Sequence, residues 1–308
     1  MRPLPACTAI AASLALSCSV TSGTTHTPRM EKPGQAAAPE APKSPEETLP
    51  GVDLSGLTPP QREELAAWAR GTFCSCGCPH TVSSCLAGHK TCHHAARMVK
   101  LASGLVKKGA SLAEVSKIVD AYYSGFDRRK RLDVTQYGPP IGDAQAPITF
   151  VVISDFTCPF CKITVPTIED FAKARADRVR LFAKPFPISA HPGSDVAAET
   201  AEWAREKGLY WDLQGLLYAA DEEPTPDRMA ALVGRLGGDV ADLRAALQSG
   251  RYKQRVTSSQ VEARDAGLTG TPTLFLNGRK IEDLTEDGLS FALEDEEEWV
   301  KNGGWERD

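Results

Sequence analysis

The sequence lacks the features that would tie it to a polyanion. Its 308 residues hold 35 Lys and Arg against 40 Asp and Glu, a formal net charge of -5. With no basic block, neither nucleic acid nor an anionic membrane surface is implied as a partner. The apolar stretch near the start, Ala9 to Leu16, is too short to span a bilayer. From Ser19 to about Gly56 the chain is Thr, Pro, Ala and Glu with almost no large apolar residue, so nothing there is expected to fold on its own. The second half lacks a second C-x-x-C, and with it the usual four-cysteine zinc site.

What the sequence does have is nine cysteines, many for a cytosolic protein of this size. Two of them form Cys158-Pro159-Phe160-Cys161, where the strand-forming run Ile148 to Ile153 gives way to a helical pattern, Lys162 to Arg175. A thiol at a helix start lies near unsatisfied backbone N–H groups and the positive end of the helix dipole, both of which favour thiolate over thiol. Cys158 is thereby the predicted nucleophile. Pro159 suits the first helical position because it has no N–H to leave unpaired there. Cys161 returns one turn later on the same face, within reach of a disulfide to Cys158. A structural disulfide rarely spans two intervening residues at a helix start, so the motif reads as a redox pair.

Three separated stretches carry a family resemblance. Ser154-Asp155-Phe156-Thr157-Cys158-Pro159-Phe160-Cys161, with Pro166 in the following helix, is similar to the active-site run of the DsbA-like branch of the thioredoxin superfamily. Gly270-Thr271-Pro272-Thr273-Leu274-Phe275 resembles the loop whose proline is cis and faces the cysteine pair. Phe186-Pro187-Ile188, His191-Pro192 and an Ala-rich helix resemble the entry of that branch's helical insertion. From Pro147 to about Gly303 the resemblance implies an α/β, thioredoxin-like fold with a large helical insertion. It also implies disulfide exchange with thiol-containing protein substrates, no required cofactor, and a membrane redox partner that resets the pair. Thr271 and Pro272 join Cys158 and Cys161 as expected site residues, the cis loop presenting the Thr271 backbone to an extended substrate. The expected direction is disulfide donation rather than reduction, although Phe160, unlike a histidine there, cannot stabilise a thiolate. Asp155 reads either as a proton acceptor for Cys161 or as an acidic loop residue without a role, and Lys162 as solvated.

Residues 1–18 read as an export signal, with Arg2 as its positive start. Ala15-Leu16-Ser17-Cys18 resembles the lipobox of bacterial lipoproteins, which would make Cys18 a lipidated first residue; an ordinary cleaved signal is the alternative. Residues 19–56 then read as a disordered tether, and the expected compartment is the bacterial cell envelope or periplasm, where disulfides persist.

A small three-helix, cysteine-rich module is expected over 57–133. Thr58 and Pro59 open a helix with Leu65, Trp68 and Ala69 on one face, and Ser111 to Glu114 has capping-box spacing ahead of Val115, Ile118 and Val119. Between lie Cys74, Cys76, Cys78, Cys85 and Cys92 with several histidines. The helical outline resembles the periplasmic domain of CcmH-type cytochrome c maturation proteins, although Cys74-Ser75-Cys76-Gly77-Cys78 replaces their C-x-x-C. Three readings of the cluster stand: disulfide stapling of a small exported module, zinc or copper binding, or a second redox pair serving Cys158 and Cys161. Five cysteines cannot all pair internally.

The second module is expected over 137–308. Ile148 to Ile153 reads as a central strand, Val179 to Lys184 as its parallel neighbour, and Asn277-Gly278 as a hairpin turn. Ile163, Ile168 and Phe171 are placed inward on the helix after Cys161, and a helical insertion fills about 188–267 with Trp203, Tyr210, Trp211 and Tyr218 in its core. Arg128 to Arg131 reads as a solvated helix end, and Glu294 to Glu298 as the outward face of a closing helix. Two other functions fit the sequence: a metal or haem-ligation assembly factor, and a tethered binding lipoprotein.

Overall fold

A computed structural model of the chain describes residues 43–89 and 92–304. The expected export signal, Cys18 and residues 19–42 of the expected tether lie outside the described residues.

The first module begins earlier than its composition suggests. Helix α1 (Pro45–Thr48) starts at a capping box between Ser44 and Glu47. Leu49 and Leu54 then join the core of Leu65 and Trp68, only 1% and 7% exposed. The tether therefore does not run to residue 56: two leucines among Pro and Glu are enough once α2 (Pro59–Gly71) offers an apolar face to cover. Helices α3 (Val82–Gly88), α4 (His93–Lys107) and α5 (Leu112–Ser124) complete the module. Beside α1 there are thus four helices rather than three, because the Thr81 hydroxyl accepts from the Ser84 N–H and caps a helix inside the cysteine-rich stretch. Helix α5 starts at its predicted capping box but buries Val115, Val119 and Tyr123, a four-residue spacing that turns Ile118 out to solvent.

The second module comprises β1 (Ile148–Ser154), α6 (Pro159–Lys173), β2 (Val179–Pro185), α7 (Ser194–Glu206), α8 (Tyr210–Ala219), α9 (Pro226–Arg235), α10 (Val240–Ser249), α11 (Lys253–Asp265), β3 (Thr273–Leu276), β4 (Arg279–Ile281) and α12 (Glu286–Asn302). The strands lie in the order β2-β1-β3-β4, with β2 parallel to β1 and β3 antiparallel to both its neighbours. Strand β1 is central and covered on both faces. Ile148, Phe150 and Val152 enter the large core with α6 and the insertion, while Val151 and Ile153 meet Phe275, Ala263 and Ala266 on the other side. This is a thioredoxin-like α/β fold, and helices α7 to α11 form its insertion around buried Trp203, Tyr210 and Tyr218.

The hairpin turn does more than reverse the chain. Asn277 and Gly278 have φ of 44° and 84°, and a Cβ on Gly278 would lie 2.0 Å from the Lys130 carbonyl oxygen. That approach lets the Lys130 N–H donate to the Gly278 carbonyl at 2.7 Å, docking the inter-module segment onto the hairpin.

Two charged segments differ from expectation here. Asp295 and Glu296 are fully buried rather than facing outward. An acidic run points all round a helix, so some of its members must meet whatever covers α12, and here the cover is the first module. Arg97 of α4 pairs with Asp295, which also accepts from the Tyr122 hydroxyl at 2.7 Å. Glu296 takes Arg129 and Arg279. Arg129, from the stretch expected to be solvated, is thus part of the contact. The Arg279 guanidinium lies 3.9 Å from the Phe126 ring centroid, and Phe126 packs on Trp299 at 5.0 Å. A buried carboxylate is tolerated only with such partners.

Candidate active site

Strand β1 delivers the chain to a turn that Asp155 holds together. Its carboxylate accepts from the Thr157 N–H at 2.8 Å, the Thr157 hydroxyl at 2.7 Å and the Ile188 N–H at 2.9 Å, and pairs with His191 Nδ1 at 2.8 Å. The Cys158 N–H bonds the Asp155 carbonyl at 3.2 Å. Asp155 is therefore neither idle nor free: it ties the approach to α6 onto the entry of the insertion. The sequence carries a signal for this in Asp155-x-Thr157, an Asx-turn spacing, but nothing local points to His191.

Cys158 is the N-cap of α6 and Pro159 follows at the first helical position, as their order predicts. The Cys158 sulfur lies 3.5 Å from the Thr271 carbonyl oxygen, and the Thr271-Pro272 bond is cis. The four residues expected to meet, Cys158, Cys161, Thr271 and Pro272, do share one place. Cys161 is fully buried, and burial pushes its thiol up to about 12 against the opposing pull of the Asp155 backbone and the Thr271 side chain. Tyr218 seals the same region, its hydroxyl donating to Ser154 Oγ at 2.8 Å and its ring 5.4 Å from Phe156. Both cysteines are free thiols.

The face beside Cys158 is apolar and open. Phe160 is 72% exposed and Ile163 74%, so Ile163 is not inward as expected. The buried stripe of α6 runs through Cys161, Val165, Ile168 and Ala172, and Ile163 falls well round the helix from it, on the side of Phe160. Lys162, expected to be solvated, instead reaches the Ala220 carbonyl. It borders a cavity of about 230 Å³ lined also by Phe156, Thr157, Pro192, Leu217 and Met229.

The other five thiols among the described residues gather in the first module. Cys74 Sγ lies 3.6 Å from Cys92 Sγ, and Cys78 Sγ lies 3.0 Å from Cys76 and 3.3 Å from Cys85. All are free thiols. The hydrogen bond between the Cys74 and Cys92 sulfurs holds Cys92 below the usual thiol range and raises Cys74. The donor atoms of Cys74, Cys76, Cys85 and Cys92 lie within 4.8 Å of one another, as do those of Cys78, His80 and Cys85, so the cluster can hold a metal. The sequence places these residues in one stretch but does not reveal that their sulfurs converge.

A family model described as thioredoxin matches residues 134–295, more than half of the chain. The chain belongs to the thioredoxin family. Its fold is shared with the oxidised BdbD of Bacillus subtilis, at a TM-score of 0.50 and 22% identity over 56% of this chain and 97% of BdbD. Curated relatives include the Na(+)/H(+) antiporter NhaA 3 of Salinispora tropica, 34% identical over 141 residues, which is 45% of this chain and 21% of the antiporter. NhaA 1 of Salinispora arenicola is 32% identical over 140 residues with the same shares. The matches thus span about a fifth of the length of those antiporters. Among the described residues, no helix of this thioredoxin-family chain is long and apolar enough to cross a membrane. Its cysteine pair is set on α6 against the cis-proline loop, an arrangement whose chemistry suits thiol–disulfide exchange.

Proposed function

We propose that the chain is an exported disulfide donor that oxidises protein thiols in the bacterial cell envelope, anchored there through Cys18. The observation that carries this reading is the asymmetry of the pair. Both sulfurs are buried, but Cys158, 4% exposed, meets the Thr271 carbonyl at the edge of an apolar face, while Cys161 lies wholly behind it. A substrate chain laid on Phe160 and Ile163 can pair with the Thr271 backbone as a short strand and bring its sulfur to Cys158 alone.

The exchange is a pair of displacements at sulfur. A substrate thiolate attacks Cys158 of the Cys158–Cys161 disulfide, forming a mixed disulfide and releasing Cys161, which takes up a proton. A second substrate thiolate attacks the substrate sulfur of that mixed disulfide, forming the product disulfide and releasing Cys158. The substrate loses two electrons and the pair gains them, with no cofactor involved; a membrane redox partner then removes them. Asp155 and His191 act as positioning residues for the turn that carries Cys158.

The convergence of five thiols in the first module favours a second reading, an assembly factor whose thioredoxin module keeps those thiols reduced. One measurement separates the two: the equilibrium of Cys158 and Cys161 with glutathione buffers, with Cys158→Ser as control. A potential near about -120 mV supports disulfide donation, and one near about -270 mV overturns it in favour of reduction.

A further inference from the structure

The exchange at Cys158 leaves the thiols of the first module without a task. Their setting is specific. Phe73 and Thr81 form an antiparallel bridge, and the Cys74 N–H donates to the His80 carbonyl at 2.9 Å and the Val82 N–H to the Thr72 carbonyl at 2.8 Å. These bonds close a tight loop that turns at Gly77, with φ of 86°, and carries Cys74 and Cys76. Cys85 comes from α3, and Cys92 is the N-cap of α4. Two ligands from a loop and one from each of two helices therefore converge.

The distances suit a metal. A tetrahedral ion with metal–sulfur bonds of about 2.3 Å sets its sulfurs ~3.8 Å apart. Cys74 and Cys92 stand at 3.6 Å, and all four sulfurs lie within 4.8 Å of one another. Cys74, Cys76 and Cys85 are almost wholly buried. The sulfurs are also addressed by backbone donors: the N–H of Cys76 faces Cys74, that of Cys78 faces Cys76 and that of Ala95 faces Cys92. Such bonds hold thiolate ligands in place and spread their charge. Disulfide pairing would strand one thiol of five, whereas a four-thiolate site leaves Cys78, one of the two half-buried members, outside a complete ligand set.

We infer that Cys74, Cys76, Cys85 and Cys92 form a closed structural site for one thiophilic divalent cation of the zinc class, joining the loop, α3 and α4. Thiolate softness selects zinc over oxygen-loving cations, and a fully protein-ligated tetrahedron leaves no position open for catalysis. Each ligand that is a thiol gives up its proton on binding, and no electron moves.

The test uses the full chain carrying Cys158→Ser and Cys161→Ser, purified without oxygen under a phosphine reductant. The expected result is one zinc per chain and, after exchange with cobalt(II) alone, visible bands of a tetrahedral ion with a sulfur charge-transfer band. Within the cluster, alkylation with zinc bound modifies Cys78 and spares Cys74, Cys76, Cys85 and Cys92. Cys85→Ser weakens cobalt binding and lowers the sulfur charge-transfer intensity, and Cys78→Ser changes neither, which separates loss of a ligand from loss of the fold. Cobalt bands without sulfur charge transfer, several cuprous ions per chain that engage Cys78, or a metal-free chain isolated from cells with disulfides among the five would each overturn the site. None of these outcomes bears on the glutathione equilibrium of Cys158 and Cys161.

Discussion

The molecule keeps thiols in two cores, and the two sites use the same side chain in opposite ways. In the larger core a helix start holds one sulfur at an apolar edge against a backbone carbonyl and hides the second behind it. In the smaller core a loop and two helix segments gather four sulfurs within 4.8 Å of one another, with Cys78 beside two of them. The first arrangement sets one sulfur, itself only 4% exposed, beside an open apolar face and has too few donors for a metal. The second has donors in excess, with most of them sealed from a substrate. Neither outcome follows from cysteine content; each follows from how many elements converge and whether one side stays open.

The sharpest way to break this contrast is to exchange the two sites' roles. Cys158→Ser is expected to abolish disulfide exchange with a thiol peptide, whereas Cys85→Ser leaves the exchange rate unchanged; equal losses would mean that the two sites work as one. Next in size is the contact between the cores. Glu296→Ala strands the buried Arg279, and removing one member of a buried pair typically costs about 3–5 kcal/mol, to be read from urea unfolding. A change within the scatter of surface substitutions would show the contact to be dispensable.

A smaller effect separates the sites by pH. The Cys161 thiol is raised by burial to about 12 from its ordinary value near 9. A raised group stabilises fully below its ordinary value and ceases to do so as pH climbs through the raised one, so the reduced chain is expected to lose stability above about pH 9, by up to about 1.4 kcal/mol per unit. Denaturant unfolding of the reduced chain against Cys161→Ala checks this; identical profiles for the two refute it. Smallest are Phe160→Ser and Ile163→Ser. Both side chains are exposed, so stability should move by less than about 0.5 kcal/mol. Their effect should be confined to a raised KM for peptide thiols, and an unchanged KM would remove the apolar face from substrate binding.

Much of the second module was legible because its signals are local. A continuous apolar run gave β1, Asn277-Gly278 gave the hairpin, and Cys158-Pro159 gave the helix start. The two cysteines and the cis-proline loop met as the family resemblance implied. What stayed hidden depends on partners distant in sequence. Asp155 meets His191 and Glu296 meets Arg279 far along the chain, and Asp295 meets Arg97 across a module boundary that no periodicity records. Ile163 is a different case: its place opposite the buried stripe was readable from helical spacing, and its apolar character outweighed its position. In the cysteine cluster the donor types were plain in sequence, but their convergence required the loop and helix α3 to be folded.

Helix α12 belongs to both cores at once, closing the thioredoxin sheet through Leu289 and Leu293 while Trp299 packs on the first module. A helix owned jointly cannot leave one half and stay with the other, because parting them would take Arg97 from Asp295 and Arg129 from Glu296. The two modules are therefore expected to melt as a single cooperative unit, with one calorimetric transition. Heat that unseats the cysteine cluster would silence the redox pair at the same temperature.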